Sequence, residues 1–378
     1  MTESVSHELL ITLLHGTWGR GFFPRLRTQD QRPLWFEKKS PFLRRLSAEL
    51  IDIRHEINPL LWSGSNSIFE RDKAAHALAT HLIAEQIKKP QATQIVIAHS
   101  HGGNIALRAL EYLKNHEASH PLIVTLATPF VEIHPTHLDD KASFIRLALV
   151  GSLFMLLMFG ILFLNVFLAL PGTIFLVLAV FWLAALIFAT WWWVDRRETA
   201  RQNRLSTLKE AARIGSLGSA QRLLVLRAID DEASLTLALG TILNYVIPNI
   251  VKIGGTMLML YVVAWGSLNV LGYMPYMPSW LRDSFVGLVI GSCTITISLI
   301  GALMLSRSVH GRELALASME CQINTQSTPD GNNLSQVVTL IPDHIMLGKS
   351  LRHGIYQYDD CPRVIAKWVR SQLAASTG

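Results

Sequence analysis

The segment IVIAHSHGGNIALRAL at 95–110 constrains the chain most. A β-branched apolar run, Ile95–Ala98, breaks at Ser100 and passes through Gly102 and Gly103 into residues with helical spacing. A run that short is a buried strand, and a serine followed by two glycines before a helix requires a very tight turn. The flanking residues repeat the alternation. ELLITLL at 8–14, IDIRHEI at 51–57 and LIVTLA at 122–127 read as strands. Residues 70–88 and 103–116 read as helices, with Ala74, Leu78, Leu82 and Ile83 sharing a face. Strands that alternate with helices predict a parallel sheet with crossover helices.

Beyond residue 142 the composition shifts. Half of the 378 residues are hydrophobic and 16% are charged, against about 25% in soluble domains. Four uncharged runs, 147–170, 173–194, 253–272 and 285–305, reach the length needed to cross about 30 Å of hydrocarbon. Trp191, Trp192 and Trp193 close the second as an interfacial belt would. Residues 195–218 are polar, basic and helical in character, and 235–251 suit an interfacial helix. The expected organisation is a sheet domain in three pieces (1–142, 197–235 and 307–378), interrupted by membrane hairpins at 143–196 and, with the interfacial helix, at 236–306. Lys141, Arg146, Arg196, Arg197, Arg201, Arg204, Arg307 and Arg312 flank the runs on the side of the sheet domain, and only Arg282 lies opposite. The positive-inside rule then predicts a multi-pass protein of the inner membrane with this domain in the cytoplasm. MTESVSHELL lacks the features of a signal peptide, which agrees.

A serine on a strand-to-helix turn is the setting of a nucleophile elbow, where small neighbours relieve crowding. Ala98 stands where the usual G-x-S-x-G has its first glycine, and Gly102 matches the second. These residues and the turn HGTWG at 15–19 resemble the α/β-hydrolase family, in particular lipase- and esterase-like bacterial membrane hydrolases. WSGSN at 62–66 with Arg71 also resembles a segment of these proteins. The resemblance covers 8–130, 221–235 and 337–374. It implies Ser100 as nucleophile and backbone N–H groups of Thr17 and His101 as the oxyanion hole, with Trp18 and Trp62 beside the substrate. In this fold the order is serine, acid, histidine. The acid follows the strand RLLVLRAI at 222–229, where the family pattern favours Asp231 over Asp230. The histidine follows the last strand, VVTLIP at 337–342, and LRHGIYQYDD before the final helix favours His353 over His344.

The expected activity is hydrolysis of acyl esters, those of membrane lipids above all, through an acyl-enzyme, with the cleft facing the bilayer. The alternatives are an acyltransferase on the same triad and an inert membrane scaffold. No cofactor is expected. His99, His101, His134 and His137 lack the companions of a metal site, and Cys293, Cys321 and Cys361 form neither a disulfide framework nor a zinc pattern. No basic-aromatic pattern suggests nucleic acid, and no oligomeric state follows.

Overall fold

The computed structural model describes residues 8–19, 33–114, 121–135, 199–213, 222–228, 321–329, 336–341 and 354–376, with isolated positions between 196 and 313. Its centre is a six-stranded parallel sheet. The strands are β1 (Glu8–Leu14), β2 (Arg54–Leu60), β3 (Thr93–His99), β4 (Leu122–Leu126), β6 (Leu223–Ala228) and β8 (Gln336–Leu340), in the order β2-β1-β3-β4-β6-β8. Strands with apolar residues on both faces need cover on both. Alternate residues supply it: Leu9, Ile11, Leu13, Ile95 and Ile97 face one cluster, and Leu14, Val96 and Ala98 face the other. Helices α1 (Pro41–Glu49) and α4 (Asp360–Ser376) cover the first face. Helices α2 (Ile68–Lys88) and α3 (His101–Leu113) cover the second. The result is a three-layer α/β fold.

A second, antiparallel pair joins β5 (Phe130–Pro135) to β7 (Cys321–Gln326). With the helical segment 199–212 it forms a small apolar cluster around Ile68, Val131, Leu208 and Ile323. Arg108 of α3 binds this side together, pairing with Asp72 at 2.7 Å and with Glu210 at 3.2 Å.

The four membrane spans are not upheld. Among the described residues no helix is long and apolar enough to cross a membrane. The runs 147–170, 173–194, 253–272 and 285–305 lie outside the described residues, apart from the isolated helical positions Thr294, Ser298, Gly301 and Met304 in the last. An uncharged stretch reports that a segment avoids water, and a helix apolar all round is equally suited to a protein interior. Hydropathy alone therefore could not distinguish the two media. The orientation drawn from the flanking basic residues, and the cleft facing a bilayer, depended on those spans, and nothing among the described residues tests either.

Cys361 sits fully buried where α4 meets the sheet. Desolvation pushes its thiol up to about 12, so the reactive thiolate is scarce at neutral pH. Iodoacetamide at about pH 8, close to the pKa of a free thiol, is expected to leave Cys361 unmodified in the native protein and to alkylate it in denaturant. Peptide mass mapping checks this, and alkylation of the native thiol at the denatured rate would contradict the buried placement.

Candidate active site

The order β2-β1-β3-β4 reverses direction between β1 and β3. Chain leaving the carboxyl ends of these two strands departs toward opposite sides, and the gap that remains is where α/β sheets bind ligands. The carboxyl end of β1 leads into His15, Gly16 and Thr17, and that of β3 leads into Ser100. Parallel pairing sets Leu14 against Ala98, so the two turns emerge side by side.

Ser100 adopts φ 53° and ψ −134°, a conformation that side-chain-bearing residues rarely take and that costs roughly 1–3 kcal/mol. Several contacts hold it there. Its N–H donates to the Leu126 carbonyl at 2.8 Å, and its own carbonyl accepts from Gly103 N–H at 2.9 Å and from the Thr128 hydroxyl at 3.0 Å. Ala127, next to Thr128, is itself at φ 47°. The neighbours must be small. A Cβ on Gly16 would lie 2.5 Å from Ser100 Cβ, and one on Gly102 would lie 2.8 Å from the Leu14 carbonyl oxygen. A Cβ on Gly103 would overlap the Thr128 side chain. The strain and the three close approaches together describe a serine held on a sharp elbow against the β1 turn.

The β1 turn is braced by aromatic rings. His15 is fully buried and stacks on Phe36 at 4.9 Å and on Trp62 at 5.7 Å. Trp62 Nε1 donates to the His15 carbonyl at 2.7 Å. Trp18, at φ 52°, is tied to the WSGSN loop through its N–H and the Gly64 carbonyl at 2.9 Å. That loop therefore shapes the turn. Trp62 is placed under the turn as a brace, whereas Trp18 stands 42% exposed in the cleft above it.

Behind the elbow, His101 begins α3. The first N–H groups of a helix have no partner within it, which makes the His101 N–H and the helix dipole suited to a developing negative charge. The ring faces a buried guanidinium: Arg71 Nη1 lies 2.7 Å from His101 Nδ1. Arginine can only donate, so Nδ1 accepts and a neutral ring carries its proton on Nε2. Burial pushes Arg71 down to about 10, opposed by the nearby carboxylate of Glu313. Glu313 also accepts from Ser67 Oγ at 2.8 Å and Ile68 N–H at 3.3 Å, capping α2. Sequence reasoning noted Arg71 only by its resemblance to a motif. Its contact with His101 across 30 positions leaves no local signal.

On the other side opens a cleft of about 850 Å³. Thr17, Trp18, Trp35, His99 and Tyr356 line it. Tyr356 stacks on Trp35 at 5.4 Å and meets His99 edge-on at 5.0 Å. It belongs to a 3-10 turn, Ile355–Gln357, that opens from Gly354, the residue after His353. Burial raises the Tyr356 phenol above its ordinary range, so it stays neutral. Thr17 adds a buried hydroxyl that has no hydrogen-bond partner among the described residues.

Ser100, Thr17, His101 and Trp18 thus gather at the switch point. Asp230, Asp231, His344 and His353 lie outside the described residues. β6 ends at Ala228, two and three positions before the paired aspartates in sequence. Among the described residues no group of histidine, cysteine and carboxylate side chains is arranged to hold a metal ion.

No family model matches the chain, and no curated protein matches it. Among solved structures, "A novel cutinase-like protein from Cryptococcus sp." is 14% identical, with a TM-score of 0.23 over 35% of this chain and 57% of that chain. The chain spans a little over half the length of that protein.

Proposed function

We propose that the chain is a serine hydrolase of acyl esters, with Ser100 as nucleophile. The observation that carries this is the backbone of Ser100: a strained serine between a strand and a helix, at the point where the sheet order reverses. Strain of this kind persists only where surroundings impose it, and it concentrates at functional sites.

In this reading Ser100 Oγ attacks the ester carbonyl as His353 takes its proton, and Asp231 holds the imidazole in the required tautomer. The carbonyl oxygen becomes an oxyanion that the Thr17 and His101 N–H groups stabilise. The alcohol leaves with the proton from His353, and water then cleaves the acyl-enzyme by the same route. The placement of the Gly354–Tyr356 turn against His99 supports His353 over His344, because His353 immediately precedes that turn in sequence. The position of Asp230 and Asp231 just after β6 supports an acid from this pair. The aromatic cleft suits an apolar acyl chain of the lipid type.

The test is labelling with a fluorophosphonate probe, which reacts only with an activated serine. The native chain is expected to label, and Ser100→Ala and His353→Ala variants are expected not to. A folded native protein that stays unlabelled, or a Ser100→Ala variant that labels equally, would overturn the proposal.

A further inference from the structure

The cleft that Thr17 and His99 help to line carries both aromatic rings and cations. Lys39, Arg44 and Arg45 line it, and no carboxylate stands among its lining residues. Arg45 is already engaged, with Asp359 at 2.7 Å and the Gln357 carbonyl at 3.2 Å. Among the described residues Lys39 and Arg44 have no carboxylate partner. An unpaired cation facing open water is ordinary; here two face one cleft. Lys39 is held at φ 73°, in the region that favours glycine, and a lysine there carries strain that a solvated surface charge does not require. Arg44 lies in the first turn of α1, whose Ser40 cap accepts from Leu43 N–H and donates to the Trp35 carbonyl at 2.6 Å. The same cap therefore fixes the aromatic wall and the start of the helix that carries Arg44.

A neutral lipid ester would leave these charges without a role. We infer that the cleft receives acyl esters bearing an anionic group, the chain against Trp35 and Tyr356 and the negative charge against Lys39 and Arg44. That the ligand is an ester rests on the reading of Ser100 above; that it is anionic rests on the cations alone.

The experiment is calorimetric titration of the full chain carrying Ser100→Ala, so that nothing is hydrolysed. Three probes separate the contributions: 1-octanoylglycerol 3-phosphate, 1-octanoylglycerol and glycerol 3-phosphate. The first is expected to bind about tenfold more tightly than either of the others, as two partly screened charge contacts would give. The advantage over the neutral ester should shrink as salt rises. Adding Lys39→Ala and Arg44→Ala should remove most of that advantage, and both positions are exposed, so the fold should tolerate the changes. Equal binding of the neutral ester would overturn the inference, as would a preference that survives the double substitution. Glycerol 3-phosphate binding as tightly as its octanoyl ester would also overturn it, because the ligand would then be a soluble phosphate. Loss of fluorophosphonate labelling with the preference intact would remove the nucleophile reading alone. Labelling without the preference would remove this one alone.

Discussion

Ser100→Gly is expected to abolish the proposed ester hydrolysis and to stabilise the fold at the same time. The loss of rate follows from chemistry: without Oγ no acyl-enzyme forms, and removing such a nucleophile lowers the rate roughly a million-fold. The gain in stability follows from the backbone. At φ 53° and ψ −134° a side chain costs roughly 1–3 kcal/mol, and glycine at such a position escapes that cost. Glycine also brings extra freedom to the unfolded chain, a penalty of about 0.5–1 kcal/mol, so the net gain is about 1 kcal/mol. The hydrogen bonds that hold the elbow use the Ser100 N–H and carbonyl and survive the change. A rise in Tm of about 1–3 °C with no activity is the expected result. An inactive variant that melts earlier would mean that the serine side chain itself supports the fold, and the strain argument would fail.

The second large effect is expected from Gly102→Ala. Its Cβ would approach the Leu14 and His15 carbonyl oxygens to 2.8 and 3.0 Å. Both are backbone atoms at the end of β1, and the pairing of Leu14 with Ala98 ties them to β3. Neither can move aside as a flexible side chain would. The first turn of α3 must shift instead, carrying the His101 N–H away from Ser100. Overpacking of this kind costs about 1–3 kcal/mol, and a displacement of about 1 Å in a catalytic group can cost a hundredfold in rate. Alanine favours helices over glycine by up to about 1 kcal/mol, so a measured loss would have to come from the clash. Gly301→Ala supplies the control: a Cβ there meets nothing within 4 Å, and stability should hold or rise slightly. Urea unfolding and fluorophosphonate labelling rates on both variants check the pair. A Gly102→Ala protein as stable and as reactive as the native one would show that α3 does not press on the β1 turn.

The central strands were legible because each is a compact apolar run whose alternate residues meet two different helix layers. β1 begins and ends where its sequence suggests. β2 runs from Arg54 to Leu60, three residues later than its apolar pattern implies. It contains Pro59, which a central strand would reject, but β2 is the edge of the sheet, where a missing N–H breaks no ladder. Helix α1 escaped notice although Ser40 and Pro41 mark its start. Its nine residues offer only Phe42, Leu43 and Leu46 to the core, too few for a clear period. The β5–β7 pair joins residues nearly two hundred positions apart, and no local pattern announces such a partner. At the site, the serine and its glycines were legible because the turn permits so few residues. Tyr356, Lys39 and Arg44 were not, because ordinary surface residues become a cleft only when the chain brings them together.

The order of the strands also sets an order in time. β1 to β4, with Gly16, Ser100 and Thr128, come from residues 8–128 of the chain. The aspartates after β6 and the histidine after β8 come from residues 230 onward. During synthesis the amino-terminal part emerges first and begins to fold before the rest exists. On the proposed triad, the serine would therefore precede its base by the time the chain takes to reach His353. At about 5–20 residues per second, that interval is tens of seconds, during which the proposed hydrolase would lack its general base. On the proposed triad, reactivity would come late in synthesis, and a chain cut short before His353 would lack its base.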